Sequence, residues 1–425
     1  MTADTGDGAT TPAKRPPRSR RRAWLIVLVV ALAMLAGLLR WASRPQQVAS
    51  LVLSQASRAL GLRITAKGVS EYTLRGMPKL VLREVTAQRD GDATPVLQAD
   101  RVLLSLPWST VKSRGRDITV HRIELDRPRL DIGALQRWLA TRPPSEKRPT
   151  PTLTDGFVVA NGRVAGAGWA VEGLALTVPT LAPHQRVRAT LRGQVVAGSA
   201  RVPFDLAATL MRPEMPAGLG VAGSVTVVQP DWRLPMDLVL RGVPDLDHGL
   251  ALDALVLGAK ARYLSRETSL PFALGVAGRA SYAGGLHVAP LGLALRRGGA
   301  IPDLTGGGRL DWSDSLSLAF DGRIEHWPES WPALPAPLGR PKGPLPTTLT
   351  YSGPTNFSGD ATLHIESGAT RFDGRFRLPR VLDWLDAPAT ATPLPPLDGR
   401  VSTPRLEIPG ATLEGVEIEI VDDRE

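Results

Sequence analysis

The residues whose types and spacing could do chemistry are few. Gly218-Leu219-Gly220-Val221-Ala222-Gly223 spells the fingerprint that lets a backbone approach a pyrophosphate at a helix N-terminus. Here it is followed by Ser224-Val225-Thr226-Val227-Val228, which reads as strand, so the phosphate-binding helix is missing. Six histidines, His121, His184, His248, His287, His326 and His364, are scattered without the paired spacing of a zinc site. Glu325-His326-Trp327-Pro328-Glu329 is the one local cluster of titratable groups, read as a solvated loop in preference to a polar or metal site. Asp311 and Asp314 have the look of paired glycosidase carboxylates, but no pocket or separation follows from their spacing. Trp312, Trp327, Trp331 and Trp384 read as plugs for the open end of a sheet rather than as a sugar-stacking or membrane-touching rim. The chain has no cysteine, which excludes disulfides, thiol catalysis and cysteine-ligated clusters. With no nucleophile–base pair or metal constellation, the expectation is a protein that is not an enzyme, with no catalytic residue, no metal and no cofactor.

The elements that would have to position any site come next. The 425 residues are 43% hydrophobic and 22% charged, an ordinary globular mixture. Abundant glycine (42) and proline (38) with only 5% aromatics suit short strands and tight turns better than long helices. The net charge is +10. Residues 1–22 hold six basic and two acidic side chains, a net +4, and the other 403 residues share the remaining +6. So dilute an excess is a solvated surface and not a nucleic-acid footprint, and no nucleic-acid partner is expected.

Ala23 to Leu39 is an uninterrupted apolar run, and with Trp41 it reaches the length that spans a bilayer as a helix, residues 23–41. Trp24 and Trp41 sit at its ends, and Arg20, Arg21 and Arg22, with Arg18, flank its N-terminal side. These are the anchoring residues, and the positive-inside rule keeps that end in the cytoplasm. A cleaved signal peptide is the rival, but Arg40-Trp41-Ala42-Ser43 lacks a convincing cleavage site. Residues 1–22 are expected to be a disordered basic tail.

Val48 to Leu60 has helical spacing with Gly61 as its cap. Beyond it the period changes to two, through Leu80 and Leu82, then Val102, Leu104 and Leu106, then Leu130-Asp131-Ile132. A short helix over Gly133 to Thr141 ends this first β region, residues 45–141, and a Pro-rich linker covers 142–152. The central β region, 153–326, alternates most cleanly. Leu174, Leu176 and Val178, Val187, Leu191 and Val195, and Val202, Phe204, Leu206 and Leu210 fall on one face, opposed by Arg188, Thr190, Arg192 and Asp205. Leu238 and Leu240, and Leu316, Leu318 and Phe320, continue that face. After a Pro- and Trp-rich linker, 327–348, a last β region, 349–425, includes a helical piece from Val381 to Leu385 and ends in Val416-Glu417-Ile418-Glu419-Ile420.

An apolar sheet face has to be covered, and a dozen or more strands with three short helices leave the helices unable to do it. Either two sheets close on one another or one sheet curls into a trough covered by a ligand. Small residues on the face, Ala189, Gly193, Ala208 and Gly223, permit strong curvature or close ligand approach. The expected fold is therefore mainly β: one N-terminal transmembrane helix, then a long, curved, mostly antiparallel, groove-like sheet with a few short helices.

The order of these segments resembles a known family. After the short helix come Leu60-Gly61-Leu62-Arg63-Ile64, Met77-Pro78-Lys79-Leu80-Val81-Leu82-Arg83-Glu84-Val85, Leu97-Gln98-Ala99-Asp100-Arg101-Val102-Leu103-Leu104-Ser105-Leu106, and Ile123-Glu124-Leu125-Asp126-Arg127-Pro128-Arg129-Leu130. Over residues 45–132 this is similar to the N-terminal region of AsmA-like proteins of Gram-negative bacteria, and Leu406 to Gly415 has the same manner. The resemblance implies an inner-membrane anchor, single-pass with the N-terminus cytoplasmic, carrying a periplasmic repeating β-groove. It further implies phospholipid or another acyl-chain lipid as partner, together with the inner membrane and other envelope proteins, and a part in lipid transport or outer-membrane homeostasis. The fifteen apolar positions of the alternating face, from Leu174 to Phe320, are then the candidate groove lining. The alternative is a non-enzymatic scaffold or assembly factor for outer-membrane or secretion components.

Overall fold

A computed structural model describes residues 45–73, 79–107, 119–141, 152–212, 217–245, 249–265, 268–296, 301–329, 343–385, 396–408 and 411–422. The apolar run 23–39, with Arg20, Arg21, Arg22, Trp24 and Trp41, lies outside them, as do Trp331 and the linker residues 142–151. Among the described residues no helix is long and apolar enough to cross a membrane. By its contacts the chain divides into residues 1–55 and 56–425, and every described strand belongs to the second unit.

Helix α1 (Pro45–Leu60) ends at Gly61, whose φ of 62° is the left-handed turn glycine adopts freely. The Leu62 N–H then bonds back to the Ser57 carbonyl, and the Ser57 hydroxyl accepts from the Ile64 N–H. Strands β1 (Arg63–Thr73), β2 (Lys79–Gln88) and β3 (Leu97–Ser105) pair antiparallel in succession. β4 (Thr119–Val120) leads to β5 (Arg122–Asp126) and β6 (Arg129–Asp131), which share the far side of β3. Helix α2 (Ile132–Ala140) starts where the Asp131 carboxylate accepts the Ala134 N–H at 2.7 Å. β7 (Thr152–Leu153) pairs parallel with β4 as a separate two-stranded sheet. β8 (Phe157–Ala165) runs parallel to β5 and β6, a pairing whose crossover contains α2.

From β8 onward each strand pairs antiparallel with the next. The order is β9 (Trp169–Val178), β10 (Val187–Ala197), β11 (Ala200–Leu210), β12 (Leu219–Val228), β13 (Trp232–Asp245) and β14 (Leu250–Ser265). It goes on through β15 (Thr268–Tyr282), β16 (Leu286–Arg296), β17 (Asp303–Trp312), β18 (Leu316–His326) and β19 (Leu345–Gly353). β20 (Asp360–Ser367), β21 (Thr370–Arg377), helix α3 (Leu378–Leu385), β22 (Leu397–Ile408) and β23 (Ala411–Ile420) complete it. Among the described residues the result is one sheet of 21 strands, mostly antiparallel, to which all three β regions of the sequence contribute. The mainly β expectation and the few short helices are what is found, with the helices at 45–60, 132–140 and 378–385.

The sheet coils strongly. Followed strand by strand, Trp169 at the start of β9 stands in line with Ala197, Ala200, Trp232, Ser265 and then Thr268 at the start of β15. Yet its indole N–H donates to the hydroxyl of Tyr282, at the other end of β15, at 3.0 Å. A flat sheet would keep these diagonal corners far apart, so the face between them is concave.

Among the described residues, buried clusters lie toward both ends of the sheet. Near the first strands, Leu62, Ala87, Val96 and Ala134 pack together beside Leu135 and Trp138, whose indole donates to the Leu60 carbonyl. At the other end Leu304, Phe320, Ile324, Leu345, Ile365, Phe372 and Val401 form a closed core, with Phe320, Ile365 and Val401 fully buried. Glycines make this tight. A Cβ on Gly306 or Gly322 would come within 2.6 Å of the Phe320 ring, so the ring lies directly on backbone.

Candidate functional site

The site is built by register. Residues paired directly across strands project to the same face, so rows of partners can be followed through the sheet. Leu176 faces Leu191, which faces Leu206, Gly223 and Leu238 in turn, and the row continues through Ala259, Leu274 and Leu295 to Leu304. A second row joins Phe204, Val225, Met236, Ala261 and Phe272. A third runs from Ala208 through Val221, Leu240, Leu257 and Val276 to Leu293. Val195 opposite Val202, and Val187 opposite Leu210, fill in the two ends of β10. Leu174 and Val178 share the face of Leu176, the bulge at Gly173 (φ 60°) keeping Leu174 beside Gly193.

Thus the central twelve of the fifteen candidate positions, Leu174 to Leu240, lie together on one face, and every one is half-buried. No apolar side chain of β9 to β13 is buried. Leu316, Leu318 and Phe320 occupy the same face further along but in a different state. Phe320 is 1% exposed inside the closed core, and Leu316 is buried with Tyr351 and Ala361 beside a half-buried Leu318. One apolar face is therefore open over β9 to β13 and shut over β17 to β22. Helices α2 and α3 have their main contacts with β6 and β21.

The opposite face is wet. Arg188, Thr190, Arg192, Asp205, Asp237, Lys260 and Arg262 are exposed there, with Arg192 paired to Asp205 at 2.9 Å. Val239 and Val256 are exposed apolar residues on it, each about half exposed, and nothing in their surroundings explains them. The three glycines of the fingerprint-like segment precede or lie within β12. Gly223 is part of the apolar row, where a Cβ would meet the Asp205 carbonyl at 2.1 Å.

Sequence reasoning did not find the bridge over the concave face. Trp169 and Tyr282 both stand on the apolar side, meet edge to face at 6.0 Å and share their hydrogen bond, while Gln136 of α2 donates to the Tyr282 carbonyl at 2.7 Å. Their separation along the chain left no local signal beyond one aromatic at the end of an apolar strand. Of the tryptophans singled out for plugs, Trp327 packs on the closed core and Trp312 is 45% exposed.

Two of the histidines pair across strands on the outer surface. His287 bonds Asp311 at 2.8 Å, and His364 bonds Asp373 at 2.6 Å and Glu366 at 3.1 Å. The hydrogen bond to Asp373, then that to Glu366, raises the His364 pKa. Glu325 is held below the usual carboxylate range by bonds from Arg323 and then Thr305. Among the described residues no group of three or more His, Asp or Glu is placed to hold a metal ion.

Comparison of the chain with family models, with curated proteins and with solved structures gave no match.

Proposed function

We propose that the open face is a lipid-binding trough and that the protein is a membrane-anchored, non-enzymatic component of lipid transport or outer-membrane homeostasis in the cell envelope. The observation that carries this reading is the unbroken half-buried apolar face of β9 to β13, continuous in register with a face the protein covers elsewhere by its own side chains. Acyl chains laid on it would gain about 25 cal/mol for each Å² of apolar surface removed from water. Headgroups would stay in water at the margins, so binding needs no catalytic group. The apolar run 23–39 with its arginines supports an inner-membrane anchor, and the resemblance of residues 45–132 to AsmA-like proteins supports a periplasmic sheet.

The test uses the full chain with a photo-crosslinking phenylalanine analogue at Leu206 or Leu238, and as control at Thr190 or Asp237 on the outer face. Phospholipid adducts, identified by mass spectrometry, are expected at the first two positions only. Adducts at all four positions, or at none, would reject the trough. The control separates trough lipid from lipid that accompanies any membrane anchor. A second reading, an envelope scaffold, is favoured by the closed core of β17 to β22, which shows that this sheet can shut its own face.

A further inference from the structure

The last strand, β23, bonds to β22 on one side, and among the described residues nothing pairs with its other side. An open edge is a row of unpaired backbone donors and acceptors, and natural sheets usually blunt such edges. Here the strand keeps one register with β22 from Ala411 to Ile420, with Gly415 in the left-handed conformation (φ 63°). Within it half-buried Val416, Ile418 and Ile420 alternate with exposed Glu417 and Glu419.

Two rows of the sheet run out at this edge. On the outer face His364 is opposite Asp373, Asp373 opposite Arg400, and Arg400 opposite Glu419. The charges alternate in sign from strand to strand and stop on a carboxylate. On the inner face Ile365 is opposite Phe372, then Val401, then Ile418, an apolar row that stops on a half-buried isoleucine against the closed core. Cross-strand pairs of opposite charge and of apolar side chains stabilise a sheet, and like charges opposite one another destabilise it. The next strand that continues both rows has basic residues facing Glu417 and Glu419 and apolar residues facing Val416, Ile418 and Ile420.

We infer that β23 is a docking edge for an extended segment of a partner protein in which basic and apolar residues alternate, added as a further strand. Pairing with β23 of a second copy is disfavoured, because two antiparallel copies centred on Ile418 set Glu417 against Glu419. This inference stands apart from the lipid reading, since it uses the edge and the two rows that end on it and not the face of β9 to β13.

Fluorescence anisotropy of a labelled synthetic peptide alternating valine with lysine, titrated with the full chain, tests it against a peptide alternating valine with glutamate. The lysine peptide is expected to bind about tenfold more tightly, the sum of two or three favourable cross-strand pairs. The net charge of +10 would attract the glutamate peptide, so this preference has to come from the edge. In the double variant Glu417→Lys with Glu419→Lys the order should reverse, and in Asp237→Lys, far along the outer face, it should not. A lysine peptide N-methylated at alternate amides should lose binding. Tighter binding of the glutamate peptide by the unmodified chain, an order unchanged by the double variant, or full binding of the N-methylated peptide would each overturn the inference.

Discussion

His364 is fixed between two carboxylates, and only its charged form donates to both. Its folded pKa is raised above the value near 6.5 of the unfolded chain. The stabilisation is therefore fully present below about pH 6.5 and fades as pH rises through the folded pKa. The opposite case is Asp92, whose pKa is lowered chiefly by the bond from Arg89. Its contribution is present above the ordinary aspartate value and fades as pH falls. Denaturant unfolding should show His364→Asn destabilised relative to the parent at pH 5.5, with the gap narrowing by pH 8.5. A gap that stays constant across this range would mean that the histidine packs without titrating. The pairing of His364 with Asp373 was not legible along the chain, because Asp373 comes nine residues after His364 and only the β20–β21 turn brings them together.

At the scale of elements, the same apolar face is asked to do two things. Phe320 is enclosed by Leu304, Ile324, Leu345 and Ile365, whereas Leu206 rests against its neighbours with one side toward the concave space. Phe320→Ala should cost about 3–5 kcal/mol, the range for emptying a packed aromatic site, and Leu206→Ala about 1 kcal/mol. Comparable losses at the two positions, measured by equilibrium unfolding, would show that the central face is as closed as the terminal core. Strands β10 and β11 are legible in the sequence because valine and leucine alternate there with arginine and aspartate. The long strands β14 and β15 are not, since alanine and glycine at Ala259, Ala261, Gly275 and Gly278 give little contrast between faces. The division of the face into open and shut parts is equally hidden. It depends on phenylalanine rings settling over glycines on neighbouring strands, and a hydropathy pattern carries no depth.

In the second unit, each strand from β9 to β22 makes most of its contacts with its two neighbours, and Trp169 and Tyr282 bridge more distant strands. Stability in such an array is close to a sum over strands and their interfaces, so regions can open separately. Hydrogen exchange should therefore be slowest in β18 to β22, around Phe320 and Val401, and faster in β10 to β13. A bound apolar guest on the central face would slow exchange there first, by the ordinary linkage of binding to stability. Uniform protection from β9 to β22 would contradict the separation.

The diagonal meeting of Trp169 with Tyr282 carries one more consequence. Because the sheet coils about an axis oblique to its strands, the concave floor is a ramp, and anything lying along it crosses one strand about every 4.8 Å. From β9 to β16 the ramp is about 34 Å long. Length along it is counted in hairpins: removing two adjacent strands shortens the path by about 10 Å and leaves every remaining side chain on its own face. Removing one strand reverses the direction of the chain at the junction and leaves no short turn able to rejoin it. A sheet of this kind can be lengthened or trimmed over evolutionary time in steps of two strands, with its inside and outside preserved.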